Sequence, residues 1–199
     1  QSALNPERII LIKISTQPKQ SPNAPEIGRL LEAPLNNNNA DIIQKRDKAI
    51  LELLASTGLK VAELAGLTKH DIDFKENVVA IGGLRSKARR IPFTSQARYW
   101  IRQYLGERRD MLPALFIRHD KAKKKQLDRA ADTYRLTPRS IQRMIKKYVT
   151  SAGLDPHTSP QSLRNAYAAH LLEQGEDPAD VQKIMGHATK ATTTRYKKR

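Results

Sequence analysis

Apolar residues recur along most of this chain with a helical period. Between Asp41 and Thr57, Ile43, Ala49, Ile50, Leu53 and Leu54 share one face, and Gly58 follows as a stop. That spacing predicts a helix with a single apolar side. Shorter helices are expected over Glu26–Ala33, ending near Pro34, and over Val61–Leu67, with Glu63 in the first turn. The period then drops to two. Val78–Ile81 and Ala88–Pro92 read as strands, with Gly82-Gly83 marking the turn of a hairpin. Ala114–Ile117 reads as a third strand.

The helical pattern returns at Ser95–Leu105, where Tyr99 and Trp100 are expected in the core. Three further helices each have a polar residue followed by proline at their start. These are Thr137-Pro138 for a helix to Ser151, Ser159-Pro160 for one to about Glu173, and Asp177-Pro178 for Ala179–Met185. Proline suits the first helical turn because its missing N–H has no partner there. A last short helix is expected over Thr189–Tyr196, and Asn36–Asn39 reads as a loop. Residues 1–20 carry Pro6 and Pro18 and only one strand-like piece, Ile9–Ile14, so they read as a linker. The expectation is a mainly helical α+β domain over 21–199 with a small antiparallel sheet.

Charge narrows the partner. The 199 residues carry a formal net charge of +16, and 39% of them are hydrophobic, enough for a core. From Arg118 to Thr150 there are eleven Lys/Arg against three Asp/Glu. Such concentration points to a polyanion, with nucleic acid ahead of an anionic membrane surface. Lys123, Lys124, Lys125, Arg139 and Arg143 are the candidate backbone contacts. The chain has no cysteine, which excludes disulfides, thiolate metal sites and cysteine nucleophiles, and fits a reducing cytoplasm. No apolar run approaches the ~18 residues that span a membrane.

Candidate chemistry gathers toward the C-terminus: Leu163-Arg164, then Gly186-His187, then Tyr196 nine residues further on. A late tyrosine with an upstream Leu-Arg and Gly-His is the layout of a nucleophile that attacks phosphate. Four segments occur in order: "TGLKVAELAGL" from Thr57, "IGGLRSKARRIP" from Ile81, "SPQSLRNAYAAHLLEQG" from Ser159 and "VQKIMGHATKATTTRY" from Val181. Together they resemble the catalytic domain of tyrosine recombinases, the Xer and phage integrase group, over roughly Ser21 to Tyr196.

The resemblance implies a DNA breaking-rejoining domain. In that family a tyrosine phenolate attacks a phosphodiester, forms a 3′-phosphotyrosyl link and releases a 5′-hydroxyl, without metal or cofactor. Two arginines, a lysine and two histidines surround the extra negative charge. By position, Tyr196 corresponds to the nucleophile, Arg164 to the second arginine and His187 to the second histidine. The first arginine falls on Lys60, which keeps charge but lacks the planar fork. The first histidine falls on Gln161, which donates a hydrogen bond but shuttles no proton. Asn165 stands where the family has a histidine after the second arginine.

The hairpin is one residue longer than the family's. The lysine position falls near Gly83 or Leu84, leaving Arg85 and Lys87 as candidates. Lys87 is preferred as leaving-group acid, because a lysine's pKa can be lowered usefully and an arginine's cannot. Arg85 is then a backbone contact. Glu63 is expected to orient Lys60, and Tyr167 to lie in the core.

The family further implies double-stranded DNA and other recombinase subunits as partners, a nucleoid-associated cytoplasmic location, and a separate N-terminal DNA clamp of which residues 1–20 would be the linker. Two other readings of the same residues remain: a recombinase-derived DNA-binding protein without turnover, and a monomeric type IB topoisomerase.

Overall fold

The computed structural model describes residues 21–35, 40–83, 86–119 and 131–186. The linker read over 1–20, the Asn36–Asn39 loop and the final helix read over Thr189–Tyr196 lie outside them.

Helix α1 (Ala24–Glu32) starts at Asn23, whose side chain accepts from the Glu26 N–H while Glu26 reaches back. A buried 3-10 turn, Ala33–Leu35, follows it. Helix α2 (Ile42–Thr57) has the same reciprocal cap between Asp41 and Gln44, and ends on Gly58 in the left-handed conformation. The expected apolar face is present, but the opposite side is buried too. Arg46, Asp47, Lys48 and Glu52 are all below a tenth exposed.

Each of those charges is paired, as burial requires. The Lys48 ammonium lies 2.8 Å from Glu32 and 2.9 Å from Glu52. Arg46 pairs with Asp47 at 2.6 Å and donates to the Ile117 carbonyl at 3.0 Å. The Tyr148 hydroxyl donates to the other Asp47 oxygen at 3.0 Å. Burial pushes the Asp47 carboxyl up from its ordinary range against the pull of Arg46. Helix α2 is therefore the central rod, packed by α4 (Ser95–Glu107), by α6 (Pro160–Glu173) and by α1.

Helix α3 (Val61–Gly66) leads to a three-stranded antiparallel sheet in the order β1 (Ile72–Asp73), β2 (Val78–Gly83), β3 (Ser86–Pro92). Ile72 opposes Val79, and Val79 opposes Ile91, so one face feeds the core. Gly82-Gly83 is not the turn. Both residues belong to β2, and the pairing slips between Ile81 and Gly83.

Ala114–Ile117 is not a strand of this sheet either. Ala114 bridges Thr68 and Ile117 bridges Arg135 singly. All four residues are buried, so no alternation survives, and the Arg108 guanidinium takes the carbonyls of Ala114 and Leu115. Tyr99 is 51% exposed, against expectation, while Trp100 is partly buried beside Lys48.

Helices α5 (Pro138–Ser151), α6 and α7 (Pro178–Met185) begin as expected, with Thr137, Ser159 and Asp177 as side-chain caps. Ala168 of α6 with Val181 and Met185 of α7 forms a small second cluster, against which Tyr167 packs. No helix among the described residues is long and apolar enough to cross a membrane.

Candidate functional site

The site begins where α2 stops. Gly58 has φ 59°, and a Cβ there would stand 2.6 Å from Tyr167 Cδ1 and 3.2 Å from Met185. Only glycine combines that backbone with that closeness. The tight stop brings the α2–α3 link against α6 and α7. Lys60 follows as the exposed cap residue of α3, and its main-chain N–H donates to Glu63 Oε2 at 2.9 Å.

Helix α6 supplies the facing wall. Ser159 caps it by accepting from the Ser162 N–H at 3.2 Å. Gln161 and Arg164, three apart, share a face. Arg164 is 3% exposed. One of its terminal nitrogens donates to the Gly58 carbonyl and the other to that of Met185, so its guanidinium joins the ends of α2 and α7. The Gln161 amide donates to Asn165 Oδ1 at 2.8 Å, one turn along.

Lys60, Gln161 and Arg164 meet at one cleft of about 260 Å³, also lined by Leu59, Val61, Ser159, Pro160 and Gln142 of α5. Ser159, Pro160 and Gln161 at the start of α6 line it, so the positive end of that helix and the cationic residues Lys60 and Arg164 border the same space. A space bordered in this way has the charge to receive an oxyanion.

The family model described as phage integrase matches residues 23–199. The chain belongs to that family. It is 38% identical over 171 residues to tyrosine recombinase XerD of Yersinia pestis, covering 83% of this chain and 54% of that protein. It is 35% identical over 189 residues to tyrosine recombinase XerC of Myxococcus xanthus, covering 94% and 61%. The chain thus spans little more than half the length of these relatives. Among solved structures, the XerA recombinase crystal structure superposes with a TM-score of 0.73 at 27% identity, over 89% of this chain and 59% of that one. XerH recombinase in a pre-cleavage complex with its difH substrate shares the fold, with a TM-score of 0.73 at 21% identity over 96% and 53%.

Of the six candidate catalytic positions, the described structure brings three together: Lys60, Gln161 and Arg164. His187 and Tyr196 lie outside the described residues, as do Arg85, Lys123, Lys124 and Lys125. Lys87 is on β3, with its side chain outside the described part. Arg139 and Arg143 are exposed on α5, one turn apart. Gln142 between them was not singled out by its sequence. The only signal is its place on the exposed stripe of a helix whose other face is apolar.

Glu63 does hydrogen-bond to Lys60, through the main chain of that residue, and it has a second partner. Its carboxylate accepts the main-chain N–H of Lys60 and pairs with Arg89 of β3 at 2.9 Å. Arg89 carries no distinguishing signal in the sequence, since it follows Ala88 in a run of charged strand residues. Alternation turns it inward with Ile91, while Arg90 faces out. Tyr167 packs as expected. Burial, then the Glu176 charge, pushes its phenol up, so it stays neutral beside Gly58.

Proposed function

We propose that this chain is the catalytic domain of a site-specific DNA recombinase or integrase. It breaks and rejoins duplex DNA through a 3′-phosphotyrosyl intermediate, at an attenuated rate. The observation that carries the reading is the cleft that gathers Lys60, Gln161 and Arg164 at the start of α6. The names of the relatives at 35–38% identity, all tyrosine recombinases, support the same activity.

In this mechanism the Tyr196 phenolate attacks phosphorus, and the bond to the 5′-oxygen breaks. Arg164 and Lys60 balance the charge on the non-bridging oxygens, while Gln161 and His187 donate hydrogen bonds to them. Lys87 gives a proton to the departing 5′-oxygen. A 5′-hydroxyl from a second strand then attacks the phosphotyrosine, returning its proton to Lys87, and the bond to the tyrosyl oxygen breaks to restore the Tyr196 phenolate. No redox change or cofactor is required. Arg139 and Arg143 on α5, with Arg85 and Lys123–Lys125, contact the backbone. Other subunits assemble on the DNA, at the nucleoid in the cytoplasm.

A second reading is a DNA clamp without turnover. It is favoured by Lys60, which cannot grip two oxygens as an arginine does, and by Gln161, which carries no titratable proton. A nicked duplex that traps the phosphotyrosyl adduct separates the two. The recombinase reading predicts an adduct band that Tyr196→Phe abolishes with DNA binding intact. No band from the unaltered chain, with binding retained, supports the clamp.

A further inference from the structure

Two elements that are far apart in sequence, α3 and α7, meet the side chain of Arg89. It stands on β3 opposite Ile81, and its side chain is 8% exposed. Its Nε donates to the Ile184 carbonyl in the last turn of α7 at 2.8 Å. Its Nη2 donates to Glu63 Oε2 at 2.9 Å, and that same oxygen accepts the Lys60 main-chain N–H at 2.9 Å. A Cβ on Gly186 would come within 3.0 Å of Nη1, so the guanidinium lies close against the residue before His187.

The chemistry suits arginine and no other side chain. Five N–H donors point in fixed directions in one plane, and two partners are held at once. The partners differ in kind. The Ile184 carbonyl is one of the orphan acceptors at a helix C-terminus, where a cation also complements the dipole. Glu63 is an acid in the first turn of α3. Arg89 therefore ties the end of α7 to the start of α3 through a hairpin strand. The neighbouring Met185 carbonyl is taken by Arg164. The point from which the chain leaves toward His187 is thus held by two arginines from different elements.

Resting on the recombinase reading above, we infer that Arg89 is a positioning residue for cleavage. It fixes the main chain at Lys60 and the last turn of α7, whose Met185 carbonyl Arg164 holds, and so sets the placement of Lys60 and Arg164 without touching the phosphate. Glu63 is the intermediary on the Lys60 side.

The test uses the 199-residue chain and a nicked duplex under single-turnover conditions, reading both the amplitude and the rate constant of adduct formation at saturating DNA. Misplacement of about an ångström at a reacting centre slows chemistry by up to about 10²-fold. Arg89→Met is expected to lower the rate constant 10- to 100-fold, with duplex affinity within threefold. A purely structural role would lower the melting temperature and the amplitude while the folded fraction reacts at the unaltered rate. That result overturns the inference.

Arg89→Lys, which keeps one charge but not the bridge, is expected to recover only part of the rate; full recovery also overturns it. If Arg89→Met does not fold, Glu63→Gln decides. A rate constant at least threefold lower supports the inference, and an unchanged one overturns it. Absence of adduct from the unaltered chain would instead remove the recombinase reading, and this inference with it.

Discussion

Arg164 and Gly58 are 106 residues apart in sequence and joined by a hydrogen bond from the guanidinium to the main-chain carbonyl. The bond makes the candidate catalytic arginine a structural member as well. It takes an orphan acceptor at the end of α2 and another, Met185, at the end of α7. The same guanidinium borders the cleft that Lys60 and Gln161 share. Placement of the charge and closure of the helix ends are therefore one event.

Gly58→Ala is expected to destabilise the fold by about 2–4 kcal/mol. Alanine at positive φ costs about 1 kcal/mol and overpacking typically 1–3 kcal/mol more, because the Cβ would meet Tyr167 at 2.6 Å. Urea unfolding with an unchanged slope checks this. A loss below 0.5 kcal/mol would show that α6 is not seated against Gly58.

The capped helix starts were legible because they are local. Thr137-Pro138, Ser159-Pro160 and Asp177-Pro178 each carry both the cap and the first-turn proline within two residues. The positions Lys60, Gln161 and Arg164 were legible from motif order, and they do share a cleft. The all-round burial of α2 was not legible. The apolar positions mark only one face, and the partners of Lys48 and Asp47, Glu32 and Tyr148, are set by tertiary packing. Arg89 was hidden for the same reason, since Glu63 and Ile184 become its neighbours only when β3 lies between α3 and α7.

His119 should make stability fall on acidification. Burial, then the charges of Arg46 and Arg108, hold its imidazole below the ordinary value of 6.5, and it lies 3.2 Å from the Tyr104 hydroxyl. The folded state keeps it neutral, while the unfolded chain protonates near pH 6.5. The unfolded state thus binds more protons below that pH. Its contribution is complete above about pH 6.5 and is lost as pH falls through the lower folded value. The stability difference between the unaltered chain and His119→Gln, measured by urea unfolding from pH 7.5 to 5.5, should shrink with acid. A difference independent of pH would contradict the shift.

Duplex binding should weaken steeply with salt. Neutralising about six phosphates gives a slope of log affinity against log salt of about −5. Arg139→Gln with Arg143→Gln removes two exposed cations of α5 and should reduce the slope by about 2, equally on unrelated sequences. An unchanged slope would show that α5 does not face the DNA.

The account stands most directly on one comparison of adduct formation on the nicked duplex, between the unaltered chain and Lys60→Arg with Gln161→His. Loss of one preorganised donor costs about 10²–10³ in rate; Lys60 keeps a charge and Gln161 a donor, so each deficit is smaller. Both serve one cleft, so the gains need not add. The prediction is slow but detectable adduct from the unaltered chain, abolished by Tyr196→Phe, and faster adduct from the double variant. No adduct from either, with DNA binding intact, would contradict the account and leave a binding protein. Fast cleavage by the unaltered chain, unchanged by the double variant, would show that Lys60 and Gln161 do not occupy the catalytic positions.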